Sequence, residues 1–178
     1  MRVEVTRSAE SERPVLANLL SLYLHDWSEV LGGVPGPDGR FTYDRLPLYF
    51  EDPARVPFLV RADGELAGLA LVTRGSVISG APDVLDLSEF FVVRGLRRRG
   101  VGCAAASAVF RAFTGPWEVR ALDRNPGAAG FWAAALSAHT GGAFETGAWE
   151  PEPGRTWKVF RFVQRGGGPA AAPGRPGS

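Results

Sequence analysis

Residues 84–113 run without a break through VLDLSEFFVV, the glycine-bearing turn RGLRRRGVG and the Ala-rich CAAASAVFRAF. Apolar β-formers, two glycines one residue apart and then small helix formers predict a strand, a sharp turn and a helix. Such a turn gathers several backbone N–H groups and the positive end of the helix around one point, which suits an anion such as pyrophosphate. Gly100 and Gly102 let the chain turn sharply and keep Cβ atoms out of an anion's way, while Cys103, Ala104 and Ala105 leave the first helical turn uncrowded. Taken alone, the string from Arg97 to Gly102 is more simply a surface turn with three solvated arginines, because glycine turns before helices are common.

The rest of the chain supplies the setting. VEVTR at residues 3–7 reads as an opening strand, after which a cap at Ser8 or Ser11 and Pro14 in the first turn start a helix. Leu16, Leu19, Leu20, Tyr23, Leu24 and Trp27 recur along it at helical spacing, and Gly32-Gly33 end it. VPGPDGR is a turn-rich loop, and DRLPLYFEDP allows a short second helix broken near Pro53. The period then changes, with PFLVRA and ELAGLALVTR flanking Asp63-Gly64 as a tight hairpin. Beyond the glycine turn come a strand at WEVRAL, a helix at PGAAGFWAAALSAHTGG closed by its Gly pair, and strands at AFETGAW and TWKVFRFV. The predicted order is β-α-α-β-β-β-α-β-α-β-β, in one domain over residues 1–165. Residues 166–178, GGGPAAAPGRPGS, hold no large apolar side chain to offset the entropy of ordering and are expected to be a disordered tail.

With 178 residues, 45% hydrophobic and 22% charged, the chain is large enough to build a core without disulfides or metal. Its single cysteine, Cys103, excludes a disulfide framework. Twenty basic against 19 acidic residues leave a net charge of +1, too weak a field for nucleic acid or an anionic membrane, so an anionic ligand has to be met locally. A nucleic-acid module built on Arg94, Arg97, Arg98 and Arg99 is disfavoured by this balance and by the lack of interleaved aromatic and basic residues on one strand. No apolar run approaches the roughly 18 residues of a membrane span, and MRVEVTRSAE lacks a signal peptide's apolar stretch, so a cytoplasmic location is expected.

Neither GxxxxGK followed by Ser or Thr, nor GxGxxG with an acidic residue about 20 positions on, is present. The turn instead resembles the central motif of the GNAT superfamily of acyl-CoA-dependent N-acyltransferases, in which Arg or Gln, two residues, Gly, one residue and Gly or Ala follow in order; here these are Arg97, Gly100 and Gly102. EFFVVRGLRRRGVG at 89–102 is similar to that family's fourth strand, loop and helix start, and NPGAAGFW at 125–132 to its second motif. EFFV, WEVR and FW also resemble a subgroup of predicted acetyltransferases. The resemblance in element order covers residues 3–163. It implies an α/β fold with a mixed, mostly antiparallel sheet of seven strands, helices on both faces and a splay between the fourth and fifth strands. It further implies acetyl-CoA as co-substrate, no metal, and direct attack by an amine within a ternary complex. The pantetheine arm would lie in the splay on the backbone of Phe90, Phe91 and Val92. The pyrophosphate would take backbone N–H groups from the turn of Arg97, Arg98, Arg99, Gly100, Val101, Gly102 and Cys103. Asn125 would bond the pantetheine or its neighbourhood, and Phe131 and Trp132 would wall the thiol end. Trp132 stands where the family commonly has a Tyr that protonates the departing thiolate, and an indole N–H donates hydrogen bonds without usable acidity.

Acyl transfer to an amine needs a neutral nitrogen, so a base is expected. Glu89 on the central strand and Glu118 in WEVR both qualify, and either is also a plausible solvated residue or ion-pair partner of an arginine. The resemblance sets Tyr23, His25 and Trp27 at the end of the first helix, with Tyr43 and Tyr49 beyond it, around the acceptor, a small-molecule or peptide amine. His139 reads as a partner of its helix's C-terminus, and Cys103 as a small apolar residue rather than a nucleophile. A non-catalytic acyl-CoA sensor is the alternative that the residues leave open. The acceptor's identity has no readable code, and the exposed edge strands of such a sheet often make homodimers.

Overall fold

Two strands that are apolar on both sides organise the molecule, whose computed structural model describes residues 1–166. The expected tail, Gly166 apart, lies outside the described residues. Strands β2 (Arg55–Ala62) and β3 (Glu65–Arg74) form the expected hairpin, and its turn residues Asp63 and Gly64 both take positive φ, 50° and 87°, as a right-twisted two-residue hairpin demands. Phe58, Ala70 and Val72 point to one side of the sheet, and Leu59, Leu69 and Leu71 to the other. Both sides must therefore be covered. Helices α1 (Arg13–Leu31) and α2 (Leu48–Glu51) close one side, where Leu16, Leu19, Leu20 and Tyr49 pack on Leu59, Leu69 and Leu71. Helices α3 (Val101–Arg111) and α4 (Pro126–Thr140) close the other, placing Val109, Phe110, Trp132 and Leu136 on Phe58, Ala70 and Val72.

The remaining strands are β1 (Val3–Arg7), β4 (Leu85–Val92), β5 (Gly115–Leu122), β6 (Glu145–Glu152) and β7 (Arg155–Gln164). The seven strands make one sheet in the order β1-β2-β3-β4-β5-β7-β6, which is the mixed, mostly antiparallel α/β architecture that the sequence predicts. Only β4 and β5 run parallel, and they pair over just three positions, Leu85 with Trp117, Asp86 with Glu118 and Leu87 with Val119. Both strands continue beyond that point without pairing, so the sheet opens into a gap there.

Two local expectations differ from the structure. Neither serine caps α1: a short 3-10 turn at Glu10–Glu12 precedes the helix, and the buried Ser8 hydroxyl bonds the Glu12 carboxylate at 3.3 Å. His139 bridges elements instead of capping its own helix, with Nδ1 2.7 Å from Ser107 Oγ on α3 and Nε2 2.8 Å from Gln164 Oε1 on β7.

β3 lies so near β4 at Gly68 that a Cβ there would sit 1.9 Å from the Phe91 carbonyl oxygen. Gly68→Ala would force the two strands apart, with an expected cost of about 1–3 kcal/mol. Urea unfolding should show a lower midpoint at an unchanged slope.

Candidate active site

The site begins with an irregularity in β4. Leu71 of β3 faces Glu89, but the next residue, Val72, faces Leu87, so Ser88 is an extra residue in a β-bulge. In a regular strand Asp86 and Glu89, three apart, would point to opposite sides. The bulge turns both toward the α1 side, while Leu85, Leu87 and Phe90 pack toward α3 and α4.

Glu89 sits at the mouth of the gap. Its Oε2 accepts a hydrogen bond from the Tyr23 hydroxyl of α1 at 2.5 Å, and its Oε1 accepts one from the Tyr43 hydroxyl, on the loop before α2, at 2.9 Å. Burial pushes the Glu89 carboxyl above its ordinary value, and the two phenol donors oppose that rise. Burial and the neighbouring Glu89 charge push both tyrosines upward as well. Tyr49 is buried, with its hydroxyl 3.1 Å from Thr73 Oγ1. The Ser88 hydroxyl links that Thr73, at 3.0 Å, to Asp86 Oδ2, at 2.7 Å.

The two other carboxylates on this side are held by arginine. Asp86, only 1% exposed, receives Arg120 Nη2 at 3.0 and 2.8 Å, yet burial still raises its proton affinity. The Arg120 guanidinium lies against Trp149 and Trp157, 5.5 and 5.9 Å from the ring centres, and Trp157 meets Trp27 of α1 at 6.2 Å. Glu118, 4% exposed, has both oxygens occupied, by Ser76 Oγ at 2.6 Å and Arg161 Nε at 2.9 Å. It sits on the paired side of the opening, next to Asp86. Of the two candidate bases, then, only Glu89 borders the gap.

At the glycine turn, Arg98 and Gly100 take left-handed φ values of 56° and 82°, and α3 begins at Val101. Among the described residues, the N–H groups of residues 98 to 103 make no hydrogen bond within the chain, as expected of a helix start. The two glycines serve different needs. Gly100 is required by its φ, since a Cβ there would meet nothing, whereas a Cβ on Gly102 would lie 2.9 Å from the Phe131 ring. Arg98, Arg99 and Cys103 are exposed. Arg97 turns away from the helix start: its Nε donates to the Val92 carbonyl at 2.8 Å, its Nη2 bonds Asp26 of α1, and Arg94 Nε meets the same carboxylate at 2.9 Å.

Val93 N–H donates to the Ala67 carbonyl of β3 at 2.9 Å, so alternation turns the Phe91 backbone to β3 and leaves the polar groups of Phe90 and the Val92 N–H to the gap, the Val92 carbonyl being taken by Arg97. The Phe90 ring stacks on Phe131 at 5.8 Å and meets Trp132 at 5.1 Å, and Trp132 is buried. The Asn125 side chain caps α4, its oxygen accepting the Ala128 N–H at 3.1 Å. Trp27 packs edge-on against Tyr23 at 6.0 Å. His25 is 70% exposed on its side chain and touches Phe41 instead of Glu89. Asp86, Ser88, Arg120, Trp149 and Trp157 are the site residues that the sequence reading missed. Strand alternation in WEVR could have paired Arg120 with Glu118 on one side; nothing local announces the bulge.

Residues 16–136 match the model of the acetyltransferase (GNAT) family, and the chain belongs to that family. No curated protein matches the sequence. Among solved structures, an acetyltransferase from Thermus thermophilus is similar at a TM-score of 0.67 and 17% identity, over 92% of this chain and 98% of that one. Arabidopsis thaliana NAA60, solved with a bisubstrate analogue, is similar at 0.60 and 14%, over 91% and 98% of the two chains. A spermidine N-acetyltransferase SpeG chimera of Vibrio cholerae and hSSAT is similar at 0.60 and 13%, over 92% and 96%. At these identities the likeness is one of fold. Among the described residues no helix is long and apolar enough to cross a membrane, and no group of three or more His, Cys, Asp or Glu could hold a metal ion.

Arg120 is the cation that balances buried Asp86. Arg120→Met is expected to destabilise the protein by about 3 kcal/mol near neutral pH, because a buried carboxylate loses its partner. The loss should shrink as pH falls and Asp86 takes up a proton, a trend that thermal unfolding across pH would reveal.

Proposed function

We propose that the protein transfers the acetyl group of acetyl-CoA to an amine, with Glu89 as general base. The observation that carries this reading is the placement of Glu89 at the mouth of the β4–β5 gap, with a proton affinity raised by burial. A carboxylate tuned upward is better matched to deprotonating an ammonium near neutral pH than an ordinary one. Asp86 and Glu118 are paired with arginines, and among the described residues Glu89 forms no ion pair, so it is the carboxylate on this side that can attract a cationic acceptor. A spermidine N-acetyltransferase among the structural neighbours is consistent with an amine acceptor, whether a small molecule or a peptide.

The chain's residues divide the work. N–H groups of residues 98 to 103 would take the diphosphate, and the gap-facing backbone of Phe90 with the Val92 N–H would take the pantetheine arm. Glu89 accepts a proton from the acceptor's ammonium, and the freed lone pair attacks the thioester carbonyl carbon. The C–N bond forms, the C–S bond breaks with its electron pair leaving on sulfur as a thiolate, and the nitrogen releases its second proton to solvent as the neutral amide forms. A thiol's reference pKa near 8.5 makes this leaving group tolerable without a dedicated acid, so solvent can return the proton. Trp132 is buried among Phe90, Phe110 and Phe131 and has no acidic proton to give. A cytoplasmic setting, in which the exposed Cys103 thiol stays reduced, belongs to the same proposal.

Glu89→Gln should lower kcat by about two to four orders of magnitude while calorimetry shows an unchanged acetyl-CoA dissociation constant. Glu118→Gln should chiefly lower Tm. A wild-type protein that binds acetyl-CoA but acetylates none of a broad amine panel would instead favour the sensor reading.

Gly100→Val tests the diphosphate cradle. A β-branched residue at a φ of 82° is strained by at least about 1–2 kcal/mol and would re-aim the N–H groups around it. Acetyl-CoA affinity should fall tenfold or more with the circular dichroism spectrum retained, and undiminished affinity would remove the diphosphate from this turn.

A further inference from the structure

We propose that Tyr23 and Tyr43 are positioning residues that together fix the orientation and the proton affinity of the Glu89 carboxylate. The inference rests on the reading of Glu89 as the base and adds to it the device that makes the base usable.

Three separated parts of the chain converge here. Tyr23 comes from the apolar stripe of α1, 66 residues before Glu89, and Tyr43 from the loop that follows, 46 residues before it. That loop is fastened to α1 by the Phe41 N–H, which donates to Ser21 Oγ at 3.0 Å two residues ahead of Tyr43. Each phenol takes a different carboxylate oxygen, so the carboxylate cannot rotate without losing a bond. An ionised carboxylate has about four lone-pair sites, and two donors leave room for an incoming N–H. A single donor would orient the group; two on separate oxygens also define the plane in which its free lone pairs lie.

Both phenols are held as donors. Burial and the adjacent carboxylate push their proton loss far above neutral pH, so neither competes as an acid or turns into an anion beside Glu89. Burial drives Glu89 toward its neutral form, and the two phenols partly restore the charged form by bonding to it. The other groups facing this carboxylate are Arg120 of β5, which favours its charge, and Asp86 of β4, which disfavours it. Tyr49 faces Tyr43, and Trp27 faces Tyr23. Replacing either phenol by a phenyl ring leaves all of these in place.

Removing a donor to the charged form raises the pKa of the carboxyl. In Tyr23→Phe and Tyr43→Phe the acidic limb of the kcat/KM profile should therefore move to higher pH, and by roughly one unit or more in the double variant. The carbon-13 titration of the Glu89 side-chain carboxyl, which needs no turnover, should move with it, and the acetyl-CoA dissociation constant should stay unchanged. A merely packing role would lower Tm and leave both titrations in place. If both single variants, folded by circular dichroism, titrate like the wild type, the proposal is overturned. Failure of the base reading would look different: Glu89→Gln would keep its activity, whatever the titrations of the tyrosine variants show.

Discussion

One inserted residue governs the site. Without Ser88 out of register, the backbone alternation of β4 would send the Glu89 side chain toward α3 and α4, into the apolar cluster that holds Phe110 and Trp132. With it, Glu89 emerges beside Asp86 on the side that α1 and the following loop cover with hydroxyls. The last paired position of β4 and β5, Leu87 with Val119, lies immediately before Ser88. The bulge thus stands at both the carboxylate and the opening beside it, and the two are aligned because they share this feature.

The side of the sheet around Asp86, Glu89 and Glu118 brings three carboxylates close together, and each is reconciled with burial differently. Asp86 has an arginine backed by two indoles, Glu118 has an arginine and a serine hydroxyl, and Glu89 has only neutral phenols. A guanidinium opposes the rise that burial imposes on Asp86. A phenol tolerates either state. Of the three groups, Glu89 is the one held by hydroxyls alone, without an ion pair among the described residues.

Much of this was legible in the sequence because it depends on local chemistry. The Asp63-Gly64 hairpin, the strand, glycine turn and helix of 84–113, and the Asn125-Pro126 start of α4 follow from φ preferences and capping, which act over a few residues. Which backbone groups of Phe90, Phe91 and Val92 face β3 and which face the gap depends on register, which no local signal carries. Glu89 and Glu118 could not be ranked from the sequence. Both stand in alternating strands, and their difference lies in long-range partners, Ser76 and Arg161 for one and Tyr23 and Tyr43 for the other. Gly102 also has a reason to be small that the sequence does not show, since a Cβ there would lie 2.9 Å from the Phe131 ring of α4. Arg97, part of the motif, spends its side chain on Val92 and Asp26.

The seam between β4 and β5 has a mechanical consequence. In the backbone ladder, two antiparallel blocks, β1 to β4 and β5 with β7 and β6, are joined by three residue pairs, to which the Asp86–Arg120 ion pair adds a side-chain link. What braces them is the aromatic packing behind the seam: Phe110 meets Trp117 at 5.0 Å and Phe162 at 4.9 Å, and Trp132 reaches from α4 to Phe90 on β4 at 5.1 Å. Close-packed side chains resist compression and transmit displacement. Side-chain volume on the opposite side of the sheet therefore bears on the width of the opening, with the rings of Phe110, Trp117 and Phe162 acting as shims behind the jaw.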